Sequence, residues 1–117
     1  MFTIQGTHIR MTRGDTASFT VDILCKTEEA QSFSYTMAAG DTLLFTAKQC
    51  LADKKPVLQL QAVGTPEFHL KPEHTKHMLG RYVYDVELHT AAGDVYTVLG
   101  PGDFPSPELD ILAEVTE

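Results

Sequence analysis

The 117-residue sequence contains no tryptophan, only two cysteines (Cys25 and Cys50) and no apolar run near the roughly 20 residues that a membrane-spanning helix needs. Each shortage excludes a class of protein. Two cysteines cannot staple a small disulfide scaffold, so both are expected to act as small core hydrophobes. The N-terminus lacks a basic-then-apolar pattern, which predicts a chain made in a reducing cytoplasm without a signal peptide. Apolar stretches such as Leu43-Leu44-Phe45 are too short to give the chain a membrane partner.

Positive charge is scarce and unevenly placed. The formal net charge is −7. Residues 1–60 carry six Lys/Arg against six Asp/Glu, whereas residues 61–117 carry three against ten, so the whole imbalance lies in the second half. No lysine or arginine follows Arg81. Phosphate recognition depends on clustered basic side chains, so neither nucleic acid nor an anionic membrane is an expected partner. The acidic half serves either solubility or a basic partner surface.

Chemistry-bearing motifs are missing as well. There is no phosphate-cradling glycine loop, no Gly-x-Ser-x-Gly elbow, no Cys-x-x-Cys and no His-Glu-x-x-His. His74 and His77, three residues apart with His69 upstream, would need further ligands such as Glu73 or Cys50 to hold zinc, and surface histidines are the expected reading. Cys25 ends an apolar-patterned face, where a thiolate nucleophile is disfavoured. Glu28-Glu29 and the Asp85/Glu87 pair are exposed by pattern and read as solvated charge. No catalytic, cofactor-binding or metal-ligating residue is predicted, and the chain is expected not to be an enzyme.

What is present is alternation with a period of two. Ala17, Phe19, Val21, Ile23 and Cys25 alternate with mostly polar neighbours, as do Tyr82, Tyr84, Val86 and Leu88. Shorter strands are predicted over 9–11, 42–48, 57–63, 67–70, 94–99 and 109–115. Turn signals of the form Gly-Asp recur at Gly14-Asp15, Gly40-Asp41, Gly93-Asp94 and Gly102-Asp103, where glycine supplies positive φ and aspartate bonds its own backbone. The turn at 91–94 reads as a hairpin. Pro72 to Met78 predicts a helical turn or two, with proline in the first turn and Glu73 at the positive end of the dipole.

This pattern predicts one all-β domain over residues 1–117, an immunoglobulin-like antiparallel β-sandwich of about seven or eight strands with one short helical turn near 72–78. Leu79-Gly80-Arg81-Tyr82 has the form of a tyrosine corner, which makes Tyr82 structural, and Gly14, Gly80 and Gly93 are expected to be structural turn residues. Gly100 to Pro107, rich in proline and glycine, is expected to be an edge or a crossover loop. Arg13-Gly14-Asp15 matches an adhesion tripeptide, but a turn between two strands accounts for all three residues. Phe33, Tyr35 and Tyr96 are the aromatics from which a sugar-binding platform could be built.

Four blocks of the sequence resemble the immunoglobulin-like N-terminal domain of phage baseplate upper proteins and related prophage tail proteins of Gram-positive bacteria. They are Arg13 to Val21, Gly40 to Lys48, Leu79 to Leu88 with its Gly-x-Tyr-x-Tyr-Asp-Val core, and Gly93 to Leu99. Ala113 to Thr116 is similar to the segment where that domain ends. The departure is Gly100 to Pro107, where the family runs more directly through a Gly-x-Phe strand, whereas here Phe104 stands among Pro101, Pro105 and Pro107. The resemblance implies a non-enzymatic virion module of a tail or baseplate, acting through protein–protein contacts with other tail proteins or with itself as a homo-oligomer, and without a cofactor. A carbohydrate-binding or adhesive sandwich module is the alternative. The interaction surface is unknown from sequence, although the acidic second half and the edge beside Gly100 to Pro107 are where a contact is expected.

Overall fold

The computed structural model describes residues 2–5, 8–26, 32–50, 52–100 and 107–114, with residues 2–5, 24–26 and 32–34 described by their backbone. Among these residues the order of elements is β1 (Phe2–Gln5), β2 (His8–Thr12), β3 (Ala17–Thr20), β4 (Leu24–Lys26), β5 (Ser32–Ser34), β6 (Thr42–Lys48), β7 (Leu58–Val63), β8 (Glu67–Leu70), α1 (Pro72–Thr75), β9 (Gly80–His89), β10 (Val95–Leu99) and β11 (Glu108–Leu112). Alternation explains the strands directly. In β6 the side chains of Leu43, Phe45 and Ala47 are buried while Thr42, Leu44, Thr46 and Lys48 face outward, and β9 buries Tyr82, Tyr84, Val86 and Leu88 in the same way.

The fold is all-β. One curled sheet runs in the order β1-β2-β11-β9-β6-β7, with β10 also paired to β9, and two smaller pairs, β3-β8 and β4-β5, complete it. Every pairing is antiparallel except β2 with β11. The β3-β8 ribbon covers the inner face of the large sheet. Phe19 and Phe68 place their ring centroids 5.7 and 5.8 Å from that of Phe45, which itself stacks on Tyr84 at 4.8 Å. A two-stranded layer facing a larger curled sheet is a sandwich-like arrangement. Burial of the Tyr84 ring also pushes its phenol up to about 12.

Several elements differ from the sequence-based expectation. Among the described residues there are eleven strands, several of them short, where about seven or eight were expected. The continuous strand expected over 17–25 is broken, because the chain changes partner. Val21 N–H donates to the Pro66 carbonyl at 2.9 Å and Tyr35 N–H to the Ile23 carbonyl at 2.8 Å, so pairing passes from β8 to β5 between them. Strands β1 and β5 were not anticipated, although Phe2 and Ile4 alternating with Thr3 and Gln5 ahead of Gly6 carried a signal for the first. The final strand ends at Leu112, where Arg13 N–H caps the Leu112 carbonyl at 2.7 Å. The helix closes a single turn: Thr75 is buried, and the chain beyond it turns Met78 into the core.

The segment from Gly100 to Pro107 interrupts a single strand position. β10 pairs with residues 86–89 of β9, and β11 pairs with residues 80–83 of the same edge. Between them the Tyr84 N–H reaches the Pro107 carbonyl at 3.4 Å. Residues 101–106 themselves lie outside the described residues. The expected hairpin at 91–94 is present. Gly93 N–H donates to the Thr90 carbonyl and Thr90 N–H to the Asp94 carbonyl, both at 2.9 Å, with Gly93 at φ 95°. This is a three-residue loop closed by a left-handed glycine.

At the start of β9, Tyr82 is buried and its hydroxyl receives the Leu79 N–H at 2.9 Å while donating to the Leu79 carbonyl at 3.2 Å. Gly80 and Gly14 share the positive φ of Gly93, at 96° and 83°. Two substitutions test this account. Phe45→Ala is expected to cost about 3–5 kcal/mol in urea unfolding, because it removes the ring that joins the two layers. Tyr82→Phe is expected to cost about 1 kcal/mol, since it leaves the Leu79 backbone groups without their partner but keeps the packing.

Candidate functional site

Most of the residues singled out in the sequence are committed to holding the fold. Arg13 forms a bidentate ion pair with Glu114, the closest N···O distance being 2.7 Å, and Gly14 N–H donates to Thr75 Oγ1 at 2.8 Å. The Arg13 guanidinium holds the Glu114 carboxyl below its ordinary value. The adhesion-like tripeptide is therefore a corner that ties the first strands to α1 and the C-terminal segment. A groove of about 370 Å³ beside it is lined by Arg13, Gly14, Pro72, Glu73, Lys76 and Glu114.

The histidines are dispersed. His74 accepts the Lys71 N–H on Nδ1 at 2.8 Å and so closes the first turn of α1, while His77 lies beyond the helix and is exposed. His69 sits on β8, with Nδ1 at 2.8 Å from Ser18 Oγ. Among the described residues no group of three or more His, Cys, Asp or Glu is arranged to hold a metal ion. Cys50 is a free, exposed thiol rather than a core residue, because it falls in the turn after β6 where alternation has ended. Its sulfur donates to Asp53 Oδ1 at 3.3 Å. The side chains of Cys25 and Phe33, and Glu28-Glu29, lie outside the described residues.

Tyr35 does not join an aromatic platform with Tyr96. It is half-buried against the core, and its hydroxyl donates to the carboxylate of Asp41. Asp41, only 2% exposed, also accepts the Ala38 N–H at 3.0 Å and the Ala91 N–H at 3.1 Å. Those three donors, Tyr35 foremost, hold its carboxyl below the ordinary value despite burial. Gly40 is needed here for space rather than for positive φ: a Cβ at that position would stand 2.7 Å from the Cβ of Ala91.

The outer face of the large sheet carries the acidic second half. Asp110 accepts from His8 Nε2 at 2.7 Å and from Arg81 Nε at 3.3 Å, and Arg81 also reaches Glu108 at 3.0 Å. Burial opposes ionisation of Asp110, but the His8 and Arg81 hydrogen bonds outweigh it and keep the carboxyl low. Asp85 departs from the expectation of an exposed, unperturbed carboxylate. It is half-buried in the middle of the sheet opposite Thr46, and desolvation first, then the neighbouring Glu87, raises its pKa against the pull of Lys48.

The surface left without an internal task is the β9–β10 hairpin and the row beside it. Val63, Thr42, His89 and Val95 stand side by side across β7, β6, β9 and β10. Val63 is 63% exposed, Val95 54% and Tyr96 56%. β10 extends past the β3-β8 cover, so both of its faces are open from Val95 to Thr97. Sequence reasoning named Tyr96 without Val95 or Val63, because period-two alternation predicts a buried face and cannot show where the second layer stops. Against known proteins, no family model, curated protein or solved structure matches this chain.

Asp41 and Asp85 give opposite pH behaviour. Asp41 stabilises the fold fully above its unfolded pKa of about 3.9, and the stabilisation is lost as pH falls through the lower folded value. Asp41→Asn is therefore expected to lower Tm by roughly 5 °C or more at pH 7, with a smaller gap from wild type at pH 2–3. Asp85 has the reverse sign: its raised folded pKa makes the ionised state costly as pH rises through it. Asp85→Asn is expected to raise Tm at pH 7 and to leave it unchanged near pH 3, as measured by thermal denaturation across that range.

Proposed function

We propose that this chain is a non-enzymatic structural module of a phage or prophage tail or baseplate, working through protein–protein contacts with other tail proteins. The observation that carries the reading is where the resembling blocks fall. Gly40 to Lys48, Leu79 to Leu88 and Gly93 to Leu99 form the contiguous β6-β9-β10 ladder of one sheet, so they resemble the family as a packed unit rather than as scattered matches. The disposition of polar chemistry is in keeping with it. Asp41, Asp110, Glu114, His8 and His74 are each spent on a backbone or ion-pair partner, whereas the open surface is an apolar hairpin suited to another protein.

The protein is accordingly assigned to the virion tail, assembled there after synthesis in the bacterial cytoplasm. In particles induced from the producing strain and banded on a density gradient, quantitative mass spectrometry is expected to find the chain at a fixed ratio to the major tail protein. Recovery only in the particle-free fraction, from a strain that releases intact tails, overturns the assignment.

A further inference from the structure

Among the described residues the outer edge of β10 has no strand partner. Its backbone direction follows from the hairpin. Thr90 N–H donates to the Asp94 carbonyl, and hydrogen-bonded pairs alternate along an antiparallel ladder. Tyr96 therefore points its N–H and C=O toward β9, whereas Val95 and Thr97 point theirs away from the sheet. All three residues are exposed, and none is a charge or a proline of the kind that protects a sheet edge.

Charge and apolar surface both bear on which strand fits this edge. On the outer face Val95 stands opposite His89 and Thr97 opposite Glu87, with Asp85 two residues further along β9 and Asp94 just ahead of β10. His89 Nε2 lies 3.3 Å from Glu87, yet the Glu87 charge still acts on Asp85, whose carboxyl is raised by desolvation and then by that neighbour. The basic side chains of this face stand away from the edge. Lys48 is on β6, across β9 from β10, and Arg81, at the other end of β9, is paired with Glu108 and Asp110. No lysine or arginine follows Arg81 in the sequence, so a strand laid on β10 meets a surplus of negative charge on its outer face. On the inner face it meets Tyr96, which lies past the end of the β3-β8 ribbon and is 56% exposed.

We propose that β10 takes up an extended segment of another protein by antiparallel strand addition, and that this segment alternates basic residues on the outer face with apolar residues on the inner one. The outward N–H and C=O groups of Val95 and Thr97 bond its backbone. An apolar side chain of the segment covers Tyr96, and lysines or arginines opposite Val95 and Thr97 lay their aliphatic stems over those two side chains. Glu87 is two strand spacings from the added strand, about 10 Å, a distance that a lysine and a glutamate side chain together span. The same charge disfavours a second copy, which would bring its own Glu87 and Asp94 and a net charge of −7 to the edge. The β7 edge offers no such complement, because its outward residues Gln59, Gln61 and Val63 stand beside Thr46, Leu44 and Thr42. A basic segment of this kind gives the contact hairpin of the proposed function its partner, and so rests on the reading of that hairpin as a protein contact.

The probe is a capped peptide of about nine residues in which lysine alternates with valine. Titrated into the isotope-labelled full chain, it is expected to bind with Kd on the order of 100 µM, as suits a short strand contact. The amides of Val95 and Thr97 become protected from exchange on binding, Tyr96 is protected throughout, and β7 is unchanged. A peptide with glutamate in place of lysine is expected to bind about ten-fold more weakly or worse, and so is one with the same lysines and valines gathered into two blocks. Glu87→Gln weakens the alternating peptide roughly three-fold and reduces the salt dependence of binding. Thr97→Pro, which removes an outward donor that the free chain leaves to solvent, weakens it about ten-fold or more. Should a substitution disturb the hairpin, amide protection in the unaltered chain reads the same contact. Absence of binding by the alternating peptide at about 1 mM overturns the proposal. So does equal binding of the glutamate or blocked peptide, protection of β7 in place of Val95 and Thr97, or undiminished binding to folded Thr97→Pro protein. Protection of Val95 and Thr97 that grows with protein concentration alone assigns the edge to a second copy and overturns it as well. Because the purified chain and a synthetic peptide suffice, this result stands or falls apart from recovery of the chain in virions.

Discussion

The carboxylate of Asp41 is the point on which the rest of the structure depends. It sits one residue before β6 and gathers donors from Tyr35, from the turn at Ala38 and from the β9–β10 hairpin at Ala91. Its own carbonyl receives the Gly64 N–H at 2.8 Å, just past the end of β7. Two segments distant in sequence, at Gly64 and Ala91, and the local turn at 35–38 are thus fixed to one residue at the end of the central strand. The register of β6 against β7 and β9 begins at Thr42, opposite Val63 and His89, and a slip of one position would turn Leu43, Phe45 and Ala47 to solvent. Gly40 makes the arrangement feasible, because only a residue without a Cβ lets the Ala91 loop approach closely enough to donate.

From that anchored register the core follows. Phe45 faces inward two rows along, where it meets Phe19 and Phe68 of the covering ribbon and Tyr84 of β9. The neighbouring inward row runs from Leu43 through Leu88 to Tyr96, but the covering ribbon does not extend that far, so Tyr96 keeps its inward direction and loses its burial. The insertion at Gly100 to Pro107 then separates β10 from β11 on their shared edge of β9. β11 gains β2 as a second neighbour while β10 gains none among the described residues. An exposed apolar hairpin is thus a consequence of where one layer ends and one strand is split.

Charge placement accords with this division. Four of the ten acidic residues of the second half lie along β9 and β11, where His8 of β2 bonds Asp110 and Arg81 of β9 pairs with both Glu108 and Asp110. The hairpin tip beyond them is the part of that half with an uncharged strand. A virion module that meets other proteins through its open hairpin would keep its acidic faces solvated and use that hairpin for contact, which joins the proposed function to the physical layout.

Much of the fold was legible because a strand with one buried face writes its period into the side chains. The bounds of β6 and β8, the inward face of β9, the 91–94 hairpin and the Tyr82 corner all follow from residues adjacent in sequence. The breaks did not follow. Val21 and Ile23 keep the alternation of a single strand, yet the chain changes hydrogen-bonding partner there, and backbone pairing leaves no mark on side-chain pattern. Asp85 reads as exposed by its place in the alternation, but the strands flanking it in space desolvate it. Asp41 reads as a turn residue, and the Ala38 N–H is such a local donor, but the Ala91 N–H comes from a hairpin that only folding brings to it. The sequence by itself determined which residues could face inward, through local periodicity and turn chemistry. Only the tertiary structure decided which inward faces would be covered, because cover depends on where a distant second layer begins and ends, and that is why the open edge at β10 could not be read from the chain alone.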